Sequence, residues 1–302
     1  MFPLPDCDAL IASALAEDLG VPAERVARRG DVRLLERDVT SASVVPADAR
    51  FKGRIVARQG CVVCGLPVAE RVFLMLANAV GLDGDLAFVP LVAEGAAVSA
   101  GTPVAEVRGP ARVVLAAERT ALDLVMLLSG IATEAARWQA EAGDTMAVTD
   151  TRKTLPGLRA VSKYAVAVGG ARNHRAGLWD MVLVKDNHRA HAGGIAAAVS
   201  AVRLAHPELL MEVEADTIGQ AAEAATSGAD IVLLDNMDDA TTTEAVRAVR
   251  AACPADRECL TEASGGITFE RLGGLRTTGV DRVSSSALTL APPVDFGLDE
   301  VT

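Results

Sequence analysis

Six short apolar runs alternate with helical stretches in the second part of the chain, and this alternation limits the fold more than any other feature. The runs are TMAVTD (145–150), DMVLVK (180–185), LLMEVE (209–214), DIVLLD (230–235), ECLTEAS (258–264) and VDRVSSS (280–286). Their ends are about 20 to 35 residues apart, as strand–helix units require. Several are apolar on both faces, as buried parallel strands are. The pattern predicts a parallel barrel smaller than the usual eight-unit form, with an open doubly wound sheet as the alternative.

The first part of the chain follows a different pattern. Residues 6–20 have the spacing of an amphipathic helix that ends at Gly20, and residues 21–37 predict an exposed loop or short helix. Between residues 39 and 116, β-like runs predict a small sheet of their own, interrupted by a helix, PVAERVFLMLANAV. These runs are VTSASVV, FKGRIVAR, GCVVCG, TPVAEVRG and ARVVLA. A further helix is predicted over 117–128.

Charge and composition exclude several classes of partner. The 302 residues carry a net charge of −11, which disfavours nucleic acid and anionic membrane surfaces, and only 3% are aromatic. Uncharged runs reach about thirteen residues, short of the roughly 18 that span a bilayer. The N-terminus lacks a basic region followed by an apolar stretch, so we expect a cytoplasmic protein.

Basic residues are concentrated in one stretch. Residues 150–190 contain eight Lys or Arg against three Asp, although the chain as a whole is acidic. Three of the four lysines in the chain, Lys153, Lys163 and Lys185, lie there. This distribution predicts a small anionic ligand held in a pocket.

The five cysteines predict packing and not chemistry. An odd count without an export signal favours reduced thiols. Cys61 and Cys64 have the CxxC spacing, but the chain has no second CxxC or Cys/His pair to complete a zinc site. The flanking residues alternate like a strand, so we expect these two thiols to be packed in a sheet.

Polar residues follow nearly every predicted parallel strand. They are Asp150-Thr151-Arg152-Lys153, Lys185-Asp186-Asn187-His188, Glu214, Asp235-Asn236, and Glu262 with Ser264-Gly265-Gly266. Such groups are costly to bury, and the carboxyl ends of barrel strands are where active sites lie. We therefore expect them to form one site.

The residue types at these strand ends indicate the ligands. Arginine binds carboxylate or phosphate through two parallel hydrogen bonds, and lysine acts as a compact charge. Two carboxylates, Glu214 and Asp235, suit Mg²⁺, which takes one or two carboxylates together with substrate phosphates. Ser264-Gly265-Gly266 before a predicted helix offers main-chain amides to an anion. The expected ligands are a carboxylate compound, a phosphate compound and a divalent ion.

Long segments of the sequence resemble quinolinate phosphoribosyltransferase. The most specific is DTRKTLPGLRAVSKYAVAVGGARNHRAGLWDMVLVKDNH (150–188). The others include AERTALDLVMLLSGIAT, EVEAD, VLLDNM, EASGGI and the tail ALTLAPPVDFGLD, so the resemblance covers nearly the whole chain. It implies an α/β protein with an N-terminal α+β open-sheet domain (1–116) joined by the tail (287–302). An incomplete parallel α/β barrel (117–286), similar to type II phosphoribosyltransferases, would follow.

The resemblance also implies an activity and a partner. The family joins quinolinate to phosphoribosyl pyrophosphate with Mg²⁺, and gives nicotinate mononucleotide, pyrophosphate and CO₂ for NAD biosynthesis. The functional unit implied is a homodimer or a higher homo-oligomer, in which Arg119 reaches the neighbouring subunit's site.

Roles for individual residues follow from the same resemblance. Quinolinate would be surrounded by Arg152, His174, Arg175 and Lys185, with Lys153 close by. The ribose and the metal would be held by Glu214 and Asp235, and these two with Lys153 and Lys185 are the expected catalytic residues. The 5′-phosphate would be held by Ser264, Gly265 and Gly266, with Ser286 nearby.

Two departures from the family pattern leave alternatives open. Ser286 and Ala171 occupy positions where glycine is frequent, and Ser286 puts one phosphate contact in doubt. A paralogue acting on another pyridine-like acid is therefore one alternative. A barrel lyase that uses Lys185 as a Schiff-base amine is another, and a non-catalytic binding protein is a third.

Overall fold

A computed structural model of the chain describes residues 3–301. The chain divides into two compact units. The first comprises the residues up to Glu134, Leu155–Gly169 and the tail from Leu290. The second comprises Ala135–Thr154 and Gly170–Thr289. Among the described residues, no helix combines the length and the apolar character needed to cross a membrane.

The elements have the following bounds. The helices are α1 (Asp8–Leu19), α2 (Ala23–Val26), α3 (Val39–Val44), α4 (Leu66–Ala79), α5 (Ala111–Ala142), α6 (Arg159–Val168), α7 (Asp186–Ala192), α8 (Ile195–Ala205), α9 (Ile218–Ser227), α10 (Asp239–Ala252) and α11 (Leu272–Thr278). The strands are β1 (Arg50–Ala57), β2 (Cys61–Val62), β3 (Ala87–Pro90), β4 (Ala97–Val98), β5 (Pro103–Pro110), β6 (Ala147–Thr149), β7 (Val182–Val184), β8 (Met211–Ala215), β9 (Ile231–Asp235), β10 (Leu260–Ser264), β11 (Arg282–Ser284) and β12 (Phe296–Glu300).

The first unit is built on an antiparallel sheet in the order β12-β1-β5-β3. Strand β12 belongs to the C-terminal tail and pairs with β1, so residues about 240 positions apart share one sheet. A boundary between residues 116 and 117 would cut through α5, which instead continues to Ala142.

Two of the β-like runs predicted in this unit are wrong. Residues 39–44 form α3, because Asp38 caps the helix by accepting a hydrogen bond from the Ser41 amide at 3.0 Å. Residues 111–116 begin α5, where Ala111, Val114 and Ala117 recur on one buried face with helical spacing. The helix predicted at 117–128 is therefore the middle of a longer one.

The two CxxC cysteines lie in the first unit, and all five cysteines are free thiols. Cys61 begins the short strand β2, and both Cys61 and Cys64 are buried. Burial raises the pKa of each thiol. A buried thiol with a raised pKa is a poor nucleophile and metal ligand, which agrees with a packing role.

The second unit contains the six parallel strands that the sequence predicts. Their order is β6-β11-β10-β9-β8-β7. Consecutive strands from β7 to β11 are neighbours, and the order does not reverse at the centre as it does in a doubly wound sheet. The first strand, β6, pairs with the last, β11. Strands β6 and β7 are at the two ends of the sheet, so the barrel is incomplete.

The strand register brings the polar residues to one edge. Ser264 is paired with Asp235, and Glu214 and Glu262 are both paired with Leu233. Because all six strands are parallel, the residues that follow them share the same end of the barrel.

Candidate active site

A pocket at the carboxyl end of the parallel strands gathers most of the basic residues that the sequence singles out. It is lined by Thr151, Arg152, Lys153, His174, Arg175, Leu183, Lys185, Leu233, Ser264 and Ser284, and its volume is about 160 Å³. A cavity of about 150 Å³ in another protein accepts one benzene molecule. The pocket is therefore of the size of a single aromatic ring, and both leucines and cations line it.

Two neighbouring arginines in this pocket favour a bound anion. Burial and the positive charge of Arg152 both lower the pKa of the Arg175 guanidinium. The Nε atom of Arg152 is buried and has no hydrogen-bond partner within the described residues. A buried donor without an acceptor is costly, so the arrangement favours a ligand with negatively charged oxygens.

The two lysines of the pocket differ in how they are held. Lys153 is exposed at the rim, where its amide donates to the Thr151 hydroxyl at 3.0 Å and its carbonyl accepts from the Thr289 hydroxyl at 2.8 Å. Lys185 precedes α7, and its Nζ donates to the Glu214 carboxylate at 3.3 Å. Lys153 is thus anchored through its main chain and leaves its side chain at the rim, whereas Lys185 is held by a carboxylate.

Glu214 and Asp235 form an acidic side of the site. Glu214 is buried and also accepts from the Asp186 amide at 3.2 Å. Burial, followed by the negative charge of Glu214, raises the pKa of the Asp235 carboxyl. A cation placed between two carboxylates would reverse this effect, and their hard oxygens are ligands that Mg²⁺ prefers. The two residues therefore fit the metal that the resemblance implies.

The loop after β10 approaches Asn236 closely. Gly265 and Gly266 both have positive φ values, 86° and 58°. A Cβ atom on Gly265 would lie 2.3 Å from the Asn236 side-chain oxygen. Asn236 has a φ of 55°, which is uncommon for a residue other than glycine, and its side-chain amide donates to the Asp235 carboxylate at 2.7 Å. Glycine is thus required at position 265, because φ is positive there and a Cβ atom would collide with Asn236.

The end of β11 places one serine in the pocket. Ser284, and not Ser286, lines the pocket, and the Ser284 hydroxyl is hydrogen-bonded to the Ser264 hydroxyl at 3.1 Å. Ser286 lies two residues beyond the strand, where its carbonyl accepts from Thr289. The segment after Gly266 begins as a 3₁₀ turn, Phe269–Arg271, before α11.

Beneath the pocket, two glutamates are enclosed in the barrel interior. Glu212 and Glu262 are 0% exposed, and none of their carboxyl oxygens receives an aligned hydrogen bond. Potential ligand atoms of these two residues and of His174 all lie within 4.8 Å of one another. Burial raises the pKa of both carboxyls; for Glu262 the charge of Glu212 raises it further, while His174, Ser284 and Arg282 lower it.

Arg119 lies in the first unit. It is on α5, where its exposed guanidinium is 3.3 Å from the Asp123 carboxylate one helical turn away. The structure of one chain therefore shows an exposed arginine at this position and no more.

Sequence reasoning missed Glu212 and Ser284 as members of the site. Both could have been found from the period of two, because alternate residues of a strand lie on the same face. Glu212 is two positions before Glu214, and Ser284 is two positions before Ser286. Asp150 and Glu262 were noted at strand ends but were given no role.

Comparison with known proteins gives one consistent result. The family model for the C-terminal domain of quinolinate phosphoribosyl transferase matches residues 131–299, and that for its N-terminal domain matches 38–129. A probable nicotinate-nucleotide pyrophosphorylase (carboxylating) of Synechocystis sp. is 41% identical over 298 residues, covering 97% of this chain and 92% of the relative. The corresponding protein of Mycobacterium leprae is 42% identical over 264 residues, or 87% and 90% of the two chains. The crystal structure of NadC from Streptococcus pyogenes superposes with a TM-score of 0.85 at 32% identity, covering 100% of both chains.

We predict that Glu262→Gln changes how stability depends on pH. Burial raises the pKa of Glu262 to about 8, so the folded protein keeps a proton that the unfolded chain releases above about pH 4.5. The free energy of unfolding of the native sequence should therefore fall as pH rises between these values. Glutamine does not ionise, so the variant lacks this loss. The free energy of unfolding of the variant minus that of the native protein should therefore be larger at pH 9 than at pH 5.

Urea unfolding at the two pH values measures this difference. Glu258→Gln, at an exposed position, is the matched control, and its effect on the free energy of unfolding should be nearly the same at both pH values. An equal change in stability for Glu262→Gln at both pH values would contradict a buried, protonated carboxyl.

Proposed function

The chain belongs to the quinolinate phosphoribosyl transferase family, and we propose that its basic pocket holds quinolinate with phosphoribosyl pyrophosphate beside it. The enzyme transfers the phosphoribosyl group to the pyridine nitrogen and removes one carboxyl group. The products are nicotinate mononucleotide, pyrophosphate and CO₂, in NAD biosynthesis. The comparisons support neither a paralogue with another substrate nor a Schiff-base lyase.

The observation that carries the quinolinate assignment is the unsatisfied positive charge of the pocket. Arg152 has a buried donor that finds no acceptor among residues 3–301, and Arg175 has a lowered pKa because it is buried beside Arg152. Quinolinate is a flat aromatic ring with two adjacent carboxylates. Its ring suits the leucines that line the pocket, and its carboxylates supply acceptors for two guanidinium groups.

The acidic side of the site would act on the ribose. When the pyridine nitrogen attacks the anomeric carbon, pyrophosphate leaves and positive charge develops on the ribose ring. Glu214 and Asp235 are fixed carboxylates on neighbouring strands, and they would stabilise this charge in place of water. Lys185, bonded to Glu214, would lie between the acidic and basic sides of the site.

Glu214 and Asp235 are also the residues that would hold Mg²⁺. The ion, when bound, would offset the negative charge of the leaving pyrophosphate. Ser264, Gly265 and Gly266 would bind the 5′-phosphate through main-chain amides, which a left-handed glycine turn leaves accessible.

Loss of CO₂ needs orientation more than acid–base catalysis. Once the ring nitrogen carries the ribose, the pyridinium can stabilise the carbanion that forms when the adjacent 2-carboxylate leaves. The retained 3-carboxylate must stay bound during this step, which favours an arginine with two parallel donors. No strong general base is required.

We predict that Arg152→Ala removes quinolinate binding without unfolding the protein. Each charge-assisted hydrogen bond contributes about 1.5 to 3 kcal/mol, so loss of a two-bond contact should raise the KM for quinolinate at least about a hundredfold. Arg247→Ala, an exposed arginine on α10, is the matched control and should change KM little. The measurement is formation of nicotinate mononucleotide at saturating phosphoribosyl pyrophosphate. Full activity of Arg152→Ala would refute the placement of the site.

The proposed homodimer gives a second prediction. If Arg119 completes the neighbouring subunit's site, then Arg119→Ala and Arg152→Ala should each be nearly inactive alone. Mixed dimers of the two should recover activity, because one of their two sites would contain both arginines. Co-expression with two affinity tags isolates the mixed dimers. Absence of recovery in them would mean that Arg119 does not act across the subunits.

A further inference from the structure

His174 lines the pocket, yet its side chain is nearly enclosed by the protein itself. Its side chain is only 8% exposed. Its Nδ1 atom accepts a hydrogen bond from the Arg175 amide at 2.7 Å. Its Nε2 atom lies 2.8 Å from Oε2 of Glu212 and 3.7 Å from Oε1 of Glu262. Both ring nitrogens are therefore directed at protein groups.

These contacts determine where the ring carries its hydrogen. An atom that accepts a hydrogen bond from an amide carries no hydrogen itself, so Nδ1 is the unprotonated nitrogen. A neutral imidazole has one N–H, which must then be on Nε2, facing the two buried carboxyls. The ring is thus a neutral Nε2–H imidazole in this arrangement.

The same contacts argue against a metal ion among His174, Glu212 and Glu262. An imidazole that binds a metal through Nε2 ordinarily carries its hydrogen on Nδ1 and donates it to a neighbouring acceptor. Here Nδ1 faces a donor, the Arg175 amide. The carboxyls also have cationic neighbours, because Arg175, Arg282 and Lys185 all lower the pKa of Glu212.

The contacts of His174 fix the main chain that carries Arg175. The His174 amide donates to the carboxylate of Asp150 at 2.8 Å, and Asp150 is fully buried. The next amide, that of Arg175, is held by the His174 ring. Two successive amides are therefore fixed directly before a guanidinium that burial and Arg152 destabilise.

We propose that His174 is a positioning residue that aims Arg175, as an Nε2–H tautomer whose Nδ1 accepts a hydrogen bond from the Arg175 amide. This assigns His174 no direct bond to the substrate, unlike the substrate-binding role that the family resemblance implies. The inference rests on the proposed function for the identity of the anion that Arg175 binds.

Nitrogen NMR of the native full-length protein tests the tautomer without any assay of activity. The chain has four histidines, so ¹⁵N-histidine labelling gives few signals, and His174→Gln assigns the relevant one. At pH 7 we expect one protonated nitrogen, Nε2, and one unprotonated nitrogen, Nδ1. We expect the same pattern after quinolinate is added. An imidazolium or an Nδ1–H tautomer, in either condition, would overturn the proposal.

A pair of matched variants tests the role. Asparagine places an acceptor where Nδ1 is, and glutamine places a donor where Nε2 is. Because the Nδ1 contact supports Arg175, His174→Gln should raise the KM for quinolinate about five- to tenfold, the effect of losing one neutral hydrogen bond, with little change in kcat. His174→Asn should raise it less.

Equal losses in the two folded variants, or a larger loss for asparagine, would overturn the positioning role. The activity of the native protein distinguishes failure of this positioning role from failure of the proposed function. If the native protein forms no nicotinate mononucleotide, the function is wrong, whereas the NMR result on the tautomer is unaffected.

Discussion

Burial of positive charge in one pocket is the constraint on which the site of the second unit depends. Arg152 and Lys185 follow β6 and β7, Arg175 lies between α6 and β7, and all three line one cavity. Without an anion this arrangement costs free energy, as the lowered pKa of Arg175 indicates. Under the proposed function, a bound dicarboxylate would offset that cost.

The barrel interior supplies the opposite charge from below. Glu212 and Glu262 are enclosed under the cations, and Glu214 and Asp235 lie at the strand ends beside them. The alternation of strand residues places Glu212 and Glu214 on the same face at different depths. The deeper glutamate, Glu212, lies 2.8 Å from the His174 ring, whereas the outer one, Glu214, accepts from Lys185 and from the Asp186 amide.

The second unit follows closely from the sequence, because each predicted run contains an observed strand and polar residues follow each run. The errors have physical causes. VTSASVV reads as a strand, yet the Asp38 cap makes it helical. ARVVLA is apolar at nearly every position, so its period is ambiguous until its buried face is seen. Which serine lines the pocket depends on where β11 ends, and a pattern of four polar or small residues does not specify that.

The central claim is that one chain joins quinolinate to a phosphoribosyl donor and removes a single carboxyl group. The most direct measurement uses the native protein with quinolinate labelled in its 2-carboxylate, phosphoribosyl pyrophosphate and Mg²⁺. The account predicts that labelled CO₂ and nicotinate mononucleotide appear in equal amounts, and that neither appears when the phosphoribosyl donor is omitted. Release of CO₂ without the donor, or absence of the nucleotide with it, would contradict the account.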